Sequence, residues 1–228
     1  MEEDTFRSKC GTVSFEPGND VVAGTFTTWT ITYTVGEIGM DDGSRLKIAV
    51  NQSSDWGPPQ FDSPGEDNYC TVTTSGDATI TADYHTRGYQ RPWQDTIDVD
   101  VGDGALAEGD TITVTLGDRS EGSMGIQVQS YPETDFRFRV LVDPFETENY
   151  VELSESPSFD IVAGSTHTLE AVAPSNALVG DEVTVSVRAE DYWGNPADDS
   201  ETELRFEGPA AAELPETETV SDGVAMHL

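Results

Sequence analysis

Histidine, cysteine and clustered carboxylates are the residues from which a protein of this kind could build a metal or acid–base centre. The three histidines, His85, His167 and His227, lie far apart, and none has a ligand-type residue three or four positions away on a helix. Asp98, Asp100, Asp103 and Asp110 suggest a calcium loop at first. Started at Asp98, however, the EF-hand pattern puts Gly102 at its fifth position and Gly109 at its twelfth, where ligands are required. The Gly-rich run from Gly117 to Gly125 lacks the Gly-Lys-Ser/Thr ending of a phosphate loop, and Asp118 and Glu121 would repel phosphate, so it reads as a hairpin loop. No Gly-x-Ser-x-Gly elbow is present, and among 44 Asp and Glu residues carboxylate pairs at glycosidase spacing must arise by chance. These patterns imply no catalytic residue, no metal and no cofactor.

Two stretches stand out as ligand or interface candidates. Asp83 to Trp93 gathers Arg87 and Arg91 with Tyr84, Tyr89 and Trp93 around His85, a combination suited to a protein interface or to a sugar or anion contact. Its structural alternative is a loop whose Arg residues pair with neighbouring acids. Ser54 to Gln60 places Trp56 beside two prolines, either as an exposed indole for stacking or as a residue packed against a sheet. Gln60 and Arg119, which belong to unusual strings discussed below, complete the candidate set.

What surrounds these residues is acidic. Eleven Lys and Arg against 44 Asp and Glu leave a formal charge of −33 over 228 residues, which excludes phosphate-neutralising nucleic-acid binding and docking on anionic lipid. Lysine occurs only at Lys9 and Lys47, a usage that points to a proteome adapted to molar salt. For a sphere of about 22 Å radius, the screened self-repulsion is roughly 25 to 30 kcal/mol at physiological salt and about 12 kcal/mol at 1 M. A folded domain is stable by only about 5 to 15 kcal/mol, so a salt-rich cytoplasm with hydrated cations at the acidic surface is expected. The opening residues lack signal-peptide order, and no apolar run is long enough to span a bilayer. Cys10, in a segment expected to fray, and Cys70, in a strand, are expected to be free thiols.

Disorder does not fit this acidity, because β-branched and aromatic residues alternate with polar ones throughout. Trp29, Ile31, Tyr33 and Val35 alternate with threonines, and period two returns at Leu46–Val50, Ala78–Tyr84, Ile97–Val101, Ile112–Leu116, Ile126–Val128 and Phe136–Val142. Turn signals such as Asp41-Asp42-Gly43-Ser44 and Ser75-Gly76-Asp77 separate the runs. The expected fold is all-β: a large antiparallel β-sandwich over residues 21–163 after a flexible N-terminus (1–20), then a second unit over 164–228. In that second unit Asp191-Tyr192-Trp193-Gly194-Asn195-Pro196 resembles the strand-ending corner of a bacterial immunoglobulin-like domain. Too few residues follow for a whole immunoglobulin sandwich, and Gly223–Leu228 stops inside a strand-like run, so the unit is expected to be incomplete, with an open sheet edge.

Tyr33–Glu37, Ser54–Gln60, Gly88–Trp93, Gly117-Asp118-Arg119-Ser120 and Phe138–Asp143 together resemble the N-terminal region of the domain-of-unknown-function 3604 family. The resemblance implies β-sandwich modules followed by a metal-dependent hydrolase-like domain related to the PHP phosphoesterases. That domain's His- and Asp-rich motifs are not in this sequence, so no catalytic residue carries over. The expected role is a non-catalytic accessory region that packs against, or presents substrate to, a hydrolase-like domain or partner chain through the Arg-aromatic loop. The alternative is a stand-alone carbohydrate-binding or adhesion module stacking sugars on Trp56, Tyr89 and Trp93.

Overall fold

Alternating apolar and threonine residues favour extended backbone, because branched side chains pack well on a pleated surface. A computed structural model describes residues 2–197, 202–207, 217–220 and 224–227. It divides into two compact units, residues 1–161 and 162–228. The ends of the expected terminal strand, Gly223 and Leu228, lie outside the described residues, whereas Val224–His227 is extended.

The first unit opens with a short helix, α1 (Glu2–Lys9), followed by β1 (Gly11–Glu16), β2 (Val21–Val22), β3 (Phe26–Thr27), β4 (Trp29–Val35), β5 (Arg45–Val50), β6 (Cys70–Thr74) and β7 (Thr79–His85). It continues with β8 (Asp95–Gly102), β9 (Thr111–Leu116), β10 (Ile126–Gln127), β11 (Glu133–Arg137), β12 (Arg139–Asp143), β13 (Val151–Glu152) and β14 (Ser158–Val162). Two antiparallel sheets form the sandwich, with strand orders β1-β4-β9-β6 and β13-β12-β5-β8-β7. Small ladders, β10-β3 and β11-β14-β2, complete it. Trp29, Ile31 and Tyr33 of β4 and Ile112, Val114 and Leu116 of β9 share one buried core with Leu46, Ile48, Ile97, Val99 and Val140 of the opposite sheet. The threonines of β4 face away from that core, where Thr30, Thr32 and Thr34 lie across from Thr115, Thr113 and Thr111 of β9.

Two segments differ from expectation. Within the expected flexible N-terminus (1–20), Cys10 to Glu16 is held: β1 pairs with β4 from Gly11↔Val35 to Glu16↔Thr30, and Cys10 is 1% exposed rather than frayed. Burying Val13 on the core and joining Phe15 to the aromatic cluster below anchors this segment. The run Phe136–Val142, which alternates as one strand, is two. Phe136 pairs with Phe159 in the β11–β14 ladder, and Val140 pairs with Ile48 in the β12–β5 ladder. Between them the Phe138 amide donates to the Pro157 carbonyl (3.1 Å), so the chain changes sheets at Phe138 without losing its inward-facing period. Phe138 thereby reaches the centre of an aromatic cluster, 5.5 Å from Trp29 and 5.9 Å from both Phe15 and Phe159.

The second unit contains β15 (Thr168–Val172), β16 (Val185–Glu190), β17 (Thr202–Arg205), β18 (Thr217–Val220) and β19 (Val224–His227). These form the antiparallel ladders β15-β16-β19 and β17-β18, with Val187, Ala189 and Leu204 as a small core of their own. Among the described residues no helix is long and apolar enough to cross a membrane.

Candidate functional site

Charged residues on the outer face of the five-stranded sheet are set by register. Arg45 lies opposite Asp100, and Lys47 opposite Asp98, along the β5–β8 ladder. Cross-strand neighbours stand about 5 Å apart at Cβ, so opposite charges there meet directly. Lys47 Nζ is 2.5 Å from both oxygens of Asp98, and Arg45 Nε is 2.5 Å from Asp100 Oδ1. Arg139 on β12 adds a third pair with Glu152 at 2.5 Å.

Aromatic residues from the loops cover these charges. The Tyr150 ring lies 5.1 Å from Lys47 Nζ, and its hydroxyl accepts a hydrogen bond from Arg45 Nη1 at 3.3 Å. That bond, more than Asp100, pushes the Arg45 guanidinium above its ordinary pKa, while burial pushes the Tyr150 hydroxyl up. Tyr89 meets Tyr150 edge to face at 6.0 Å. The Arg139 guanidinium stands 5.2 Å from the Trp93 ring and 5.9 Å from that of Tyr89, within cation–π range of both. The Arg-aromatic loop is therefore held down by its aromatic residues. It is closed by Gly88 N–H to Gln94 O (2.9 Å) and Trp93 N–H to Gln90 O (2.9 Å), and it is tied to a second loop by Gln52 N–H to Pro92 O (2.8 Å). A side chain at Gly88 would collide with Thr96 Oγ1, which explains the glycine at the point where the loop crosses the sheet.

The remaining candidates separate. Arg87 and Arg91 on this anchored loop are exposed and, among the described residues, in no ion pair, whereas Lys9, Arg45, Lys47, Arg137, Arg139 and Arg188 are all paired with carboxylates. His85 is exposed at the end of β7, opposite Thr96. Tyr84, its neighbour, faces the core, where burial pushes its hydroxyl up, and its ring meets Trp56 edge to face at 6.4 Å.

Trp56 is no exposed platform. It is 6% exposed and packs 5.8 Å from Phe138, so no ligand can stack on it in the folded chain. The string around it serves to fix the loop. Asp55 accepts hydrogen bonds from the Ser130 amide (2.8 Å) and hydroxyl (2.5 Å), and Gly57 N–H donates to Gln127 O (2.8 Å). A side chain at Gly57 would collide with Asn68. Gln60 is half-buried and closes the next loop: its Oε1 accepts from the amides of Asp62 and Ser63, and its Nε2 donates to Ser63 O.

In Gly117-Asp118-Arg119-Ser120, Asp118 accepts from the Ser120 amide and the Thr71 hydroxyl (2.8 Å each), which, against the opposing effect of burial, holds its carboxyl below the usual range. Arg119 Nη2 donates to Phe26 O at 2.8 Å, tying this loop to β3. Gly117 has φ +70°, and a side chain there would meet Ile126 N. Ser54–Gln60 and Gly117–Ser120 are thus spent on internal latches.

In the second unit the Asp191 carboxylate, 3% exposed, is the hub of the corner. It accepts from the amides of Trp193 (2.8 Å), Asn195 (2.9 Å) and Gly164 (2.9 Å) and from Asn195 Nδ2 (2.9 Å). Burial works against its charge, but these donors prevail and hold its pKa below the ordinary value. Tyr192 and Trp193 are left at the tip, 73% and 44% exposed, with ring centroids 5.3 Å apart and planes at 84°. Among the described residues no group of three or more His, Cys, Asp or Glu side chains could hold a metal ion.

No family model matches the chain, and no curated protein matches it. Among solved structures, the cohesin module from the family 33 glycoside hydrolase of Clostridium perfringens is similar over 67% of this chain and 96% of that one, at 12% identity and a TM-score of 0.35. The fold class rests on the chain's own ladders, which are those of an antiparallel β-sandwich.

Proposed function

We propose that the chain is a non-catalytic accessory β-sandwich region of a salt-adapted, metal-dependent hydrolase-like protein of the domain-of-unknown-function 3604 type. It docks on the hydrolase-like domain through the Arg-aromatic loop. The observation that carries this reading is the pair Arg87 and Arg91: two exposed guanidinium groups in no ion pair among the described residues, on a loop fixed by Arg139, Tyr89 and Trp93, in a chain of −33 charge. A held loop loses little entropy on docking, and Arg forks bind carboxylates in a defined orientation. The reading is tested first on the gene: the reading frame beyond Leu228 should encode a His- and Asp-rich domain. In the joined protein, Arg87→Glu with Arg91→Glu should speed limited proteolysis between the β-region and that domain while leaving circular dichroism unchanged. A frame without such a domain, or wild-type resistance to proteolysis in the double variant, refutes the reading.

A further inference from the structure

We propose that the corner carrying Tyr192 and Trp193 is a binding platform for a neutral carbohydrate. Trp29, Trp56 and Tyr33 are enclosed, at 2%, 6% and 0% exposed, and most of the other aromatic side chains are half-buried. Phe6 and Phe145 are exposed singly, at 39% and 44%, whereas Tyr192 and Trp193 are adjacent and exposed at 73% and 44%. Their placement is not loose. The Asp191 carboxylate fixes the backbone on both sides of them, Gly194 takes the turn at φ +85°, and Ala197 N–H closes onto Ala189 O at 3.0 Å. His167 stands edge to face with Tyr192 at 5.4 Å, which holds the phenol from its other side.

Size and charge decide the class of ligand. A fully exposed aromatic side chain offers about 150 to 250 Å², so at these exposures the two rings present on the order of 300 Å² or less. A stable protein interface takes about 800 Å² from each partner, most of it contiguous. The area here is too small for that and suits the face of one or two sugar rings, whose axial C–H groups pack on an aromatic plane. The neighbouring polar side chains Glu190 and Asn195 are already held, by Arg188 and by Asp191, so the contact rests on the ring faces. The net charge of −33 disfavours acidic glycans and selects uncharged ones. This site is independent of the docking role assigned to Arg87 and Arg91.

The test is a titration of the whole chain in about 3 M KCl with neutral hexasaccharides (gluco-, manno-, xylo- and chito-series), read by calorimetry and by tryptophan fluorescence. Saturable binding of at least one series is expected, with affinity falling about tenfold in Tyr192→Ala and in Trp193→Ala, since one aromatic contact contributes about that factor. Both substitutions fall on exposed side chains, and circular dichroism should show the fold unchanged. Trp93→Ala should bind as the wild type. No binding by any series, binding insensitive to Tyr192→Ala and Trp193→Ala, or binding lost in Trp93→Ala instead would overturn the proposal. So would a concentration-dependent increase in mass that Trp193→Ala abolishes, because the corner would then be a protein contact.

Discussion

Lys47 and Asp98 face each other across the β5–β8 ladder, with Lys47 Nζ 2.5 Å from both carboxylate oxygens and side-chain exposures of 2% and 11%. A buried pair repays its desolvation only when both partners are present. Asp98→Asn should therefore destabilise the first unit by about 3 to 5 kcal/mol. The double change Lys47→Met with Asp98→Leu should recover most of that loss, as read by denaturant unfolding of each variant. A single variant as stable as the wild type would contradict a closed pair beneath Tyr150.

Trp56 and Trp193 should behave oppositely. Removing the enclosed Trp56 indole leaves a cavity beside Phe138, and Trp56→Ala should cost about 3 to 5 kcal/mol. Trp193→Ala, at an exposed tip, should change stability by no more than about 0.5 kcal/mol. Thermal unfolding in concentrated KCl measures both.

Salt should stabilise the fold. With −33 formal charge, raising KCl from about 0.1 M to 3 M shortens the screening length from about 10 Å to below 3 Å. The melting temperature followed by circular dichroism should rise steeply over that range. The Lys47–Asp98 pair, enclosed and weakly screened, should contribute equally at both ends, so the loss in Asp98→Asn should not depend on salt.

Cys70 and Tyr33 predict an alkaline limit. Burial raises the Cys70 thiol from about 9 to about 12 and pushes the enclosed Tyr33 hydroxyl up as well. Between those values the unfolded chain has released a proton that the folded chain retains. This contribution to stability is thus complete below pH 9 and is lost as pH rises towards 12. Denaturant midpoints should fall across that window, and Cys70→Ala should flatten part of the slope. At neutral pH neither Cys10 nor Cys70 should react with a thiol reagent until the protein is unfolded.

Asp191 sets an acid limit for the second unit. Its folded pKa is depressed, so its contribution is present above the ordinary carboxylate range and disappears as pH falls through the folded value. Asp191→Ala should mobilise the corner, raising amide exchange at Trp193 and Asn195, whose N–H groups it accepts.

Period-two patterning was enough to place β4, β5, β7, β8 and β9, because burial on one face imposes it, but it left β1 inside a segment expected to be flexible. It could not show that Phe136 and Val140 belong to different ladders, since a strand that changes sheets keeps its inward face. The Arg-aromatic loop was visible in composition, but what holds it was not. Arg139, Glu152 and Tyr150 come from distant segments, and only β12–β13 and β12–β5 pairing brings them beneath Tyr89 and Trp93. Lys47 did carry a signal, as one of two lysines set inside the apolar run Leu46–Val50, where only a partner such as Asp98 could make it tolerable. Trp56 could not be settled from its neighbours, because prolines flank exposed and enclosed indoles alike.

The backbone crossing at Phe138 also has a mechanical consequence. One continuous stretch is stitched into two ladders through Phe136–Phe159 and Val140–Ile48, so pulling the layers apart must tear one of those seams. The first unit should therefore yield all at once under stretching force, giving a single rupture peak, while the separately cored second unit should extend earlier at lower force.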